Sequence, residues 1–228
     1  MEMNQSIIVF DMDGVLVEVT ESYRAAIIET IRFFTGQTIT NDEIQGWKNR
    51  GGYNNDWVLC HHFCRDAGFD IDYPTVVDQF NEFFFGPDND GLILREKWVP
   101  RDGLLERLAA QHRQAIFTGR DRREADFTLK RFASAYPLDP IVTTEDVTHG
   151  KPHPEGLLLI RSKHPNARML FIGDTVDDAR SASAAQVPFI GIASPETPRR
   201  DLLVAALQSE GAIAVLENIN QLEGALPQ

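Results

Sequence analysis

"IIVFDMDGVLV", residues 7–17, sets two aspartates, Asp11 and Asp13, directly behind four apolar residues and then supplies a glycine. An unbroken run of β-branched and aromatic residues reads as a strand buried on both faces, as in a parallel sheet covered by helices. Side chains two apart on an extended chain point the same way, so the two acids share one direction at the strand's end. Ligands of open α/β sheets bind beyond the carboxyl ends of the strands. The acids therefore stand where a site is expected.

Outward from that strand, the grammar after Leu104 alternates helices with short apolar strands: "LLERLAAQH", "QAIFTG", "READFTLKRFA", "IVTT", "EGLLLIRSKH", "MLFIGD", "DARSASAA" and "PFIGIA". The pattern predicts an α/β fold, a Rossmann-like three-layer core around a parallel sheet. About a hundred residues separate the first strand from the next, where a βαβ crossover needs a few dozen. The excess is helical throughout. It predicts a small α-helical cap domain at 17–98 inserted into a core formed by 1–16 and 99–228, with linkers near Leu16 to Glu18 and Trp98 to Pro100. Within the cap, a helix is expected from a cap at Thr20 to a stop at Gly36, a second from the capping box Thr40 to Glu43, a third ending at Gly68, and a fourth before Gly86. Cys60 and Cys64 in "CHHFC" read as packing residues rather than metal ligands. The C-terminal stretch reads as helix, strand and helix extending the sheet edge.

Among 228 residues, 43% are hydrophobic and 25% charged, which is the composition of a globular protein. A net charge of −12 argues against nucleic acid or an anionic membrane as a partner. The opening "MEMNQS" has no signal-peptide pattern, and no stretch approaches the roughly 18 apolar residues of a membrane span. A cytoplasmic location is the expectation. Nothing in the sequence selects an oligomeric state.

Beyond the other strand ends lie Thr118, Gly119 and Arg120, then Lys151 in a loop, then Asp174 followed by Asp177 and Asp178. Each has an ordinary structural explanation alone: a cap, a solvated lysine, acids at a helix N-terminus. Together, four or five carboxylates at one edge would be costly without a cation among them. An all-oxygen set with room for water and substrate suits Mg2+, and no histidine or cysteine at these positions favours zinc. A carboxylate on a metal is a competent nucleophile toward phosphorus, and a second acid can protonate the leaving oxygen. Thr118, Lys151 and the backbone of Gly119 suit the oxygens of a phosphoryl group.

In this order, "DMDGV", "IFTG", "GKPHP" and "IGDTVDD" resemble the four motifs of the haloacid dehalogenase superfamily, over about residues 5–16 and 99–195. The resemblance implies that Asp11 is the nucleophile that becomes an aspartyl-phosphate, and that Asp13 is the acid and later the base. It implies that Asp11, the carbonyl of Asp13 and Asp174 hold Mg2+, with Asp178 as a further ligand and Asp177 less favoured. Thr118 and Lys151 would hold the phosphoryl oxygens. The acid at position 13 favours phosphoryl chemistry over carbon–halogen cleavage.

The site of insertion is similar to the helical cap of the phosphoglycolate phosphatase and β-phosphoglucomutase subfamily, whose caps select the substrate. Within "KNRGGYNNDW", residues 48–57, Lys48 and Arg50 suit an anionic part of a substrate and Asn54 and Asn55 its hydroxyls. Helix capping by an asparagine is the plainer role. Gly119 and Arg120 are further candidate substrate contacts, Arg120 also at the cap–core interface. The expected activity is a Mg2+-dependent phosphatase of a small phosphorylated metabolite: phosphoglycolate, a sugar phosphate, a nucleotide or histidinol phosphate. A sugar-phosphate mutase and a non-catalytic binding module are the alternatives.

Overall fold

The computed structural model describes residues 6–226. Six parallel strands form the main sheet: β1 (Ser6–Phe10), β4 (His112–Phe117), β5 (Leu138–Val142), β6 (Arg168–Gly173), β7 (Phe189–Ile192) and β8 (Ala214–Leu216). Their spatial order is β5-β4-β1-β6-β7-β8, with β1 paired to both β4 and β6. The fully apolar β1 is explained by this placement. Ile8 and Phe10 enter one core cluster and Ile7 and Val9 the other, so both faces of the strand are covered.

Helices α5 (Leu104–Ala109), α6 (Arg122–Phe132), α7 (Glu155–Lys163), α8 (Val176–Ala185), α9 (Arg200–Ser209) and α10 (Leu222–Ala225) accompany these strands. The pairing of Phe10 with Ile116 and Ile172 sets the strand ends level. Asp11 N–H still donates to Ile172 at 2.8 Å, and Thr118 N–H to Val142 at 3.0 Å. Residues 11, 118 and 174 consequently leave the sheet at one edge.

Between β1 and β4, the chain forms α1 (Tyr23–Thr35), α2 (Asn41–Lys48), α3 (Asp56–Asp66) and α4 (Tyr73–Phe85). These helices bury their own apolar set, with Ile27 and Ile31 of α1, Leu59 of α3, and Phe80 and Phe84 of α4. The expected start at Thr20 is corrected: α1 begins at Tyr23 behind Ser22, and Thr20 lies in a turn. There its N–H donates to Glu18 Oε1 at 2.7 Å. The capping box of Thr40 and Glu43 forms, as does the left-handed stop at Gly36.

Where the chain passes into and out of this helical part, β2 (Val17–Glu18) pairs antiparallel with β3 (Lys97–Trp98), tying both crossings into one ribbon. Cys60 and Cys64 are buried and free, and burial raises both thiols. No metal-holding group among the described residues includes them. No helix among the described residues is long and apolar enough to cross a membrane.

Candidate active site

The sheet edge gathers Asp11, 3% exposed, with Lys151 and Asp178. Lys151 Nζ lies 2.8 Å from Asp11 Oδ1 and 2.7 Å from Asp178 Oδ1, one buried ammonium between two buried carboxylates. Burial pushes the Asp11 carboxyl up to about 7; Lys151 opposes that rise, while Asp178 and Asp13 add to it. Burial also raises Asp174 well above the usual carboxylate range, with Asp178 and Asp11 reinforcing it. Burial alone would lower Lys151, yet its two carboxylate partners raise it above the ordinary lysine value.

Asp11, Asp174 and Asp178 each present an oxygen within 4.8 Å of the others. Asp11 and Asp174 resist ionisation because burial strips them of water and the neighbouring carboxylates repel the charged form, which Lys151 at Asp11, and Lys48 and Arg24 at Asp174, only partly offset. A hard divalent cation suits such a donor set. The backbone is shaped to permit the approach: a Cβ on Gly14, whose φ is +72°, would fall 2.1 Å from Asp174 Oδ2. The residues present therefore fit the expected ion.

Asp178 has a second occupation. Its Oδ2 accepts the N–H and hydroxyl of Thr175 at 2.9 and 2.6 Å and the N–H of Asp174 at 3.2 Å, closing the capping box of α8. It thereby positions both Lys151 and Asp174. Asp177, adjacent in sequence, faces elsewhere. Its carboxylate, on a residue 2% exposed, accepts the N–H groups of Gly52 at 2.8 Å and Asn54 at 3.2 Å from the cap. Two residues one apart on a helix diverge by about 100°, which separates these roles.

Burial raises Asp177, so acidification weakens this latch. Asp177→Asn leaves a single neutral oxygen for the two N–H donors and sets an NH2 beside the Gly52 N–H. The expected result is a KM increase of about tenfold, equivalent to ~1.4 kcal/mol, with faster proteolysis at residues 48–57. Steady-state kinetics and limited digestion check it.

Asp13 accepts from Arg120 through Nε at 3.0 Å and Nη2 at 2.5 Å. Arg120, 1% exposed, also donates to Glu96 at 2.7 Å and Thr128 at 2.6 Å, and lies 4.8 Å from the Tyr23 ring centroid. The expectation that Arg120 binds substrate is corrected: its guanidinium is committed to Asp13, Glu96 and Thr128. Glu96 directly precedes β3, so this chain of contacts ties Asp13 to the neck of the cap. Thr118, beside Lys151 in the lining of an adjoining pocket, uses its Oγ1 to accept Arg120 N–H at 3.2 Å.

Facing this edge across the cleft are Lys48, Asn54 and Asn55. Lys48 is held by Asp56 at 2.7 Å. Asn54 sits against Gly119, where a Cβ would fall 2.5 Å from its Nδ2, so the missing side chain at 119 lets the loop before α3 lie against the loop after β4. Asn55 Oδ1 accepts from Trp57 and Val58 N–H at 2.9 and 3.1 Å, which makes it the N-cap of α3. One of the two asparagines thus takes the capping role expected of the pair, while Asn55 still lines the cleft. Arg50 is also corrected: it does not line the cleft, because its guanidinium stacks 4.4 Å from the Trp47 ring centroid.

Sequence reasoning missed Arg24, Tyr23, Asp56, Glu96 and Glu124. Arg24, on α1, lines the cleft and, among the described residues, donates to neutral acceptors, Gln45 Oε1 at 2.5 Å and Asn41 O at 3.4 Å. Its position on the helix carries no local signal of that role.

Burial, then the Asp121 carboxylate, pushes Glu124 up to about 8. An unfolded glutamate ionises near 4.3. Between those values the folded chain holds a proton that the unfolded chain has lost, so this contribution to stability declines as pH rises and levels off above 8. Glu124→Gln keeps an oxygen for the Asp121 N–H and removes the charge. Its Tm relative to the parent is expected to grow by about 5 °C from pH 5 to pH 8.5 in thermal unfolding scans, from a few kcal/mol at 2–4 °C each.

A family pattern describing haloacid dehalogenase-like hydrolases matches residues 6–186. An imidazoleglycerol-phosphate dehydratase of Phytophthora nicotianae is 32% identical over 225 residues, which cover 93% of this chain and 48% of that protein. The chain thus spans about half the length of that relative. An N-acetylmuramic acid 6-phosphate phosphatase of Pseudomonas aeruginosa is 28% identical over 189 residues, covering 80% of this chain and 79% of the relative. In fold, the chain is similar to a crystal structure described as a predicted phosphoglycolate phosphatase from Haemophilus somnus, with a TM-score of 0.76, 17% identity, and coverage of 98% and 99%.

Proposed function

This chain belongs to the haloacid dehalogenase-like hydrolases, and from that premise we propose that it is a Mg2+-dependent phosphatase of a small phosphorylated metabolite. The observation that carries the proposal is Lys151 held between Asp11 and Asp178, with Asp174 beside them and Asp13 on the same cleft. In this reading, Asp11, the backbone carbonyl of Asp13 and Asp174 would hold Mg2+, with Asp178 adjoining. The ion supplies positive charge to the carboxylates and to the phosphoryl oxygens.

A carboxylate oxygen of Asp11 attacks phosphorus and the ester P–O bond breaks. The leaving oxygen takes a proton from Asp13. Water then attacks the aspartyl-phosphate, giving its proton to Asp13 and releasing inorganic phosphate. Lys151 and the Thr118 hydroxyl bind phosphoryl oxygens. Asp178 keeps Lys151 in place, and Arg120 orients Asp13.

The cap bears on the substrate. Arg24 has no carboxylate within ion-pair distance among the described residues, and together with Lys48 it offers positive charge to a polar or anionic part of the ester. The two relatives named for phosphorylated compounds, an N-acetylmuramic acid 6-phosphate phosphatase and an imidazoleglycerol-phosphate dehydratase, support a small metabolite as substrate. A cap over the cleft and a net charge of −12 disfavour nucleic acid.

The test is a panel of small phosphate esters with Mg2+, with and without a chelator. Inorganic phosphate is expected as product, with loss of at least 100-fold in rate on chelation and full recovery with added Mg2+. An isomeric ester as product would indicate a mutase, and no turnover of any ester a binding module.

A further inference from the structure

Away from the cleft, a second set of ligand atoms converges on the loop that carries Lys151. His149 and His153 stand four residues apart, and Glu155 opens α7. Nδ1 of His149 lies 3.4 Å from Glu155 Oε2, and Nδ1 of His153 lies 3.8 Å from the same oxygen. The imidazole centroids are 4.9 Å apart, and one donor atom of each residue falls within 4.8 Å of the other two. Four donors around a tetrahedral zinc at bond lengths of about 2.0–2.1 Å are ~3.4 Å from one another. The two nitrogen–oxygen separations stand close to that value, and Nδ1 of His153, which accepts the Glu155 N–H at 3.3 Å, would exchange that bond for the metal.

The carboxylate is fixed by the fold. Glu155 Oε1 accepts the Thr148 N–H at 2.8 Å and Oε2 the His149 N–H at 3.0 Å. A carboxylate has about four lone-pair sites, so acceptor capacity remains for a metal. Holding a ligand by backbone N–H groups is how outer contacts orient a metal's donors. Side-chain exposures of 66%, 50% and 32% for His149, His153 and Glu155 leave an entry path. Two imidazoles, one carboxylate and a water form a donor set that favours zinc and similar borderline ions over Mg2+.

We propose that His149, His153 and Glu155 bind a zinc-class divalent ion at a site separate from the carboxylate cluster of Asp11, Asp174 and Asp178. Its position gives it a consequence for the cleft. Lys151 lies between the two histidines, pointing inward to Asp11 and Asp178, and the carbonyl of His153 accepts from Ser181 Oγ at 3.0 Å. An ion on the outside staples the two ends of this loop and stabilises it around Lys151. The proposal does not depend on the phosphatase reading.

The experiment is isothermal titration of the full chain with zinc in saturating Mg2+, alongside the Asp174→Asn and His149→Ala/His153→Ala variants. The expected result is a site with a Kd of about 10 μM or tighter in the parent and in Asp174→Asn, weakened at least tenfold in the double histidine variant. Both histidines are exposed, so the double variant is expected to match the parent's circular dichroism and metal-free Tm. Cobalt in the parent is expected to show the intense visible bands of tetrahedral coordination, absent from the double variant. Equal zinc affinity in the double variant, or zinc uptake that vanishes only with Asp174→Asn, would overturn the proposal.

Discussion

Asp11→Asn protein is expected to hydrolyse the best phosphate ester about 10^4-fold more slowly than the parent, a loss of ~5.5 kcal/mol of transition-state stabilisation. The amide is nearly isosteric with the carboxylate, but its oxygen carries no full charge and cannot readily displace the ester oxygen from phosphorus. Stability is expected to move the other way. Burial works against ionised Asp11, pushing its pKa up to about 7, so the neutral amide removes a strained charge while Lys151 keeps Asp178 at 2.7 Å. In the metal-free protein at neutral pH, the variant's Tm should equal or exceed the parent's. Single-turnover kinetics and thermal unfolding on one preparation separate lost chemistry from lost fold. A rate within tenfold of the parent would remove Asp11 from the role of nucleophile.

The second large effect is expected at Arg120, the residue whose role the structure altered most. Arg120→Met retains the bulk of a buried chain and removes every donor to Asp13, Glu96 and Thr128. Breaking a buried ion pair from one side costs about 3–5 kcal/mol, because the partner is left charged and dry. At 2–4 °C per kcal/mol for a chain of this size, Tm should fall by about 6–20 °C. Asp13 also loses the contact that orients it, so kcat should fall about 100-fold.

Adding Glu96→Gln removes the second stranded charge. The double variant should regain part of the Tm but little of the kcat, since Asp13 remains unheld. Full additivity of the two substitutions in Tm would mean that Arg120 and Glu96 do not act as a pair.

Much of the core of the site was open to a reading of the chain because its acids and threonine follow buried strands, whereas Lys151, in a loop, was legible only through the "GKPHP" motif. Asp11 and Asp13 follow "IIVF", Thr118 follows "QAIF" and Asp174 follows "MLFIG". Apolar runs mark strands locally, and parallel strands with level ends bring whatever follows them to one edge. The cap was less legible. In "KNRGGYNNDW", four polar side chains suit a substrate equally well on chemistry alone. Their destinations differ: Lys48 to Asp56, Arg50 to Trp47, Asn54 to Gly119 and Asn55 to the start of α3.

By itself, then, the order of residues determined an α/β core, the position of a helical insertion and the acids that meet at the sheet edge, since all of these rest on short-range periodicity. Only the tertiary structure decided that Arg120 serves Asp13 and Glu96, that Asp177 grips the cap while Asp178 holds Lys151, and that Arg24 lines the cleft. The contacts of Arg120 with Asp13 and Glu96, and of Asp177 with Gly52 and Asn54, join groups 24 to 125 positions apart in the chain. No local pattern encodes such a distance; folding sets it when the helices between β1 and β4 pack against the sheet edge.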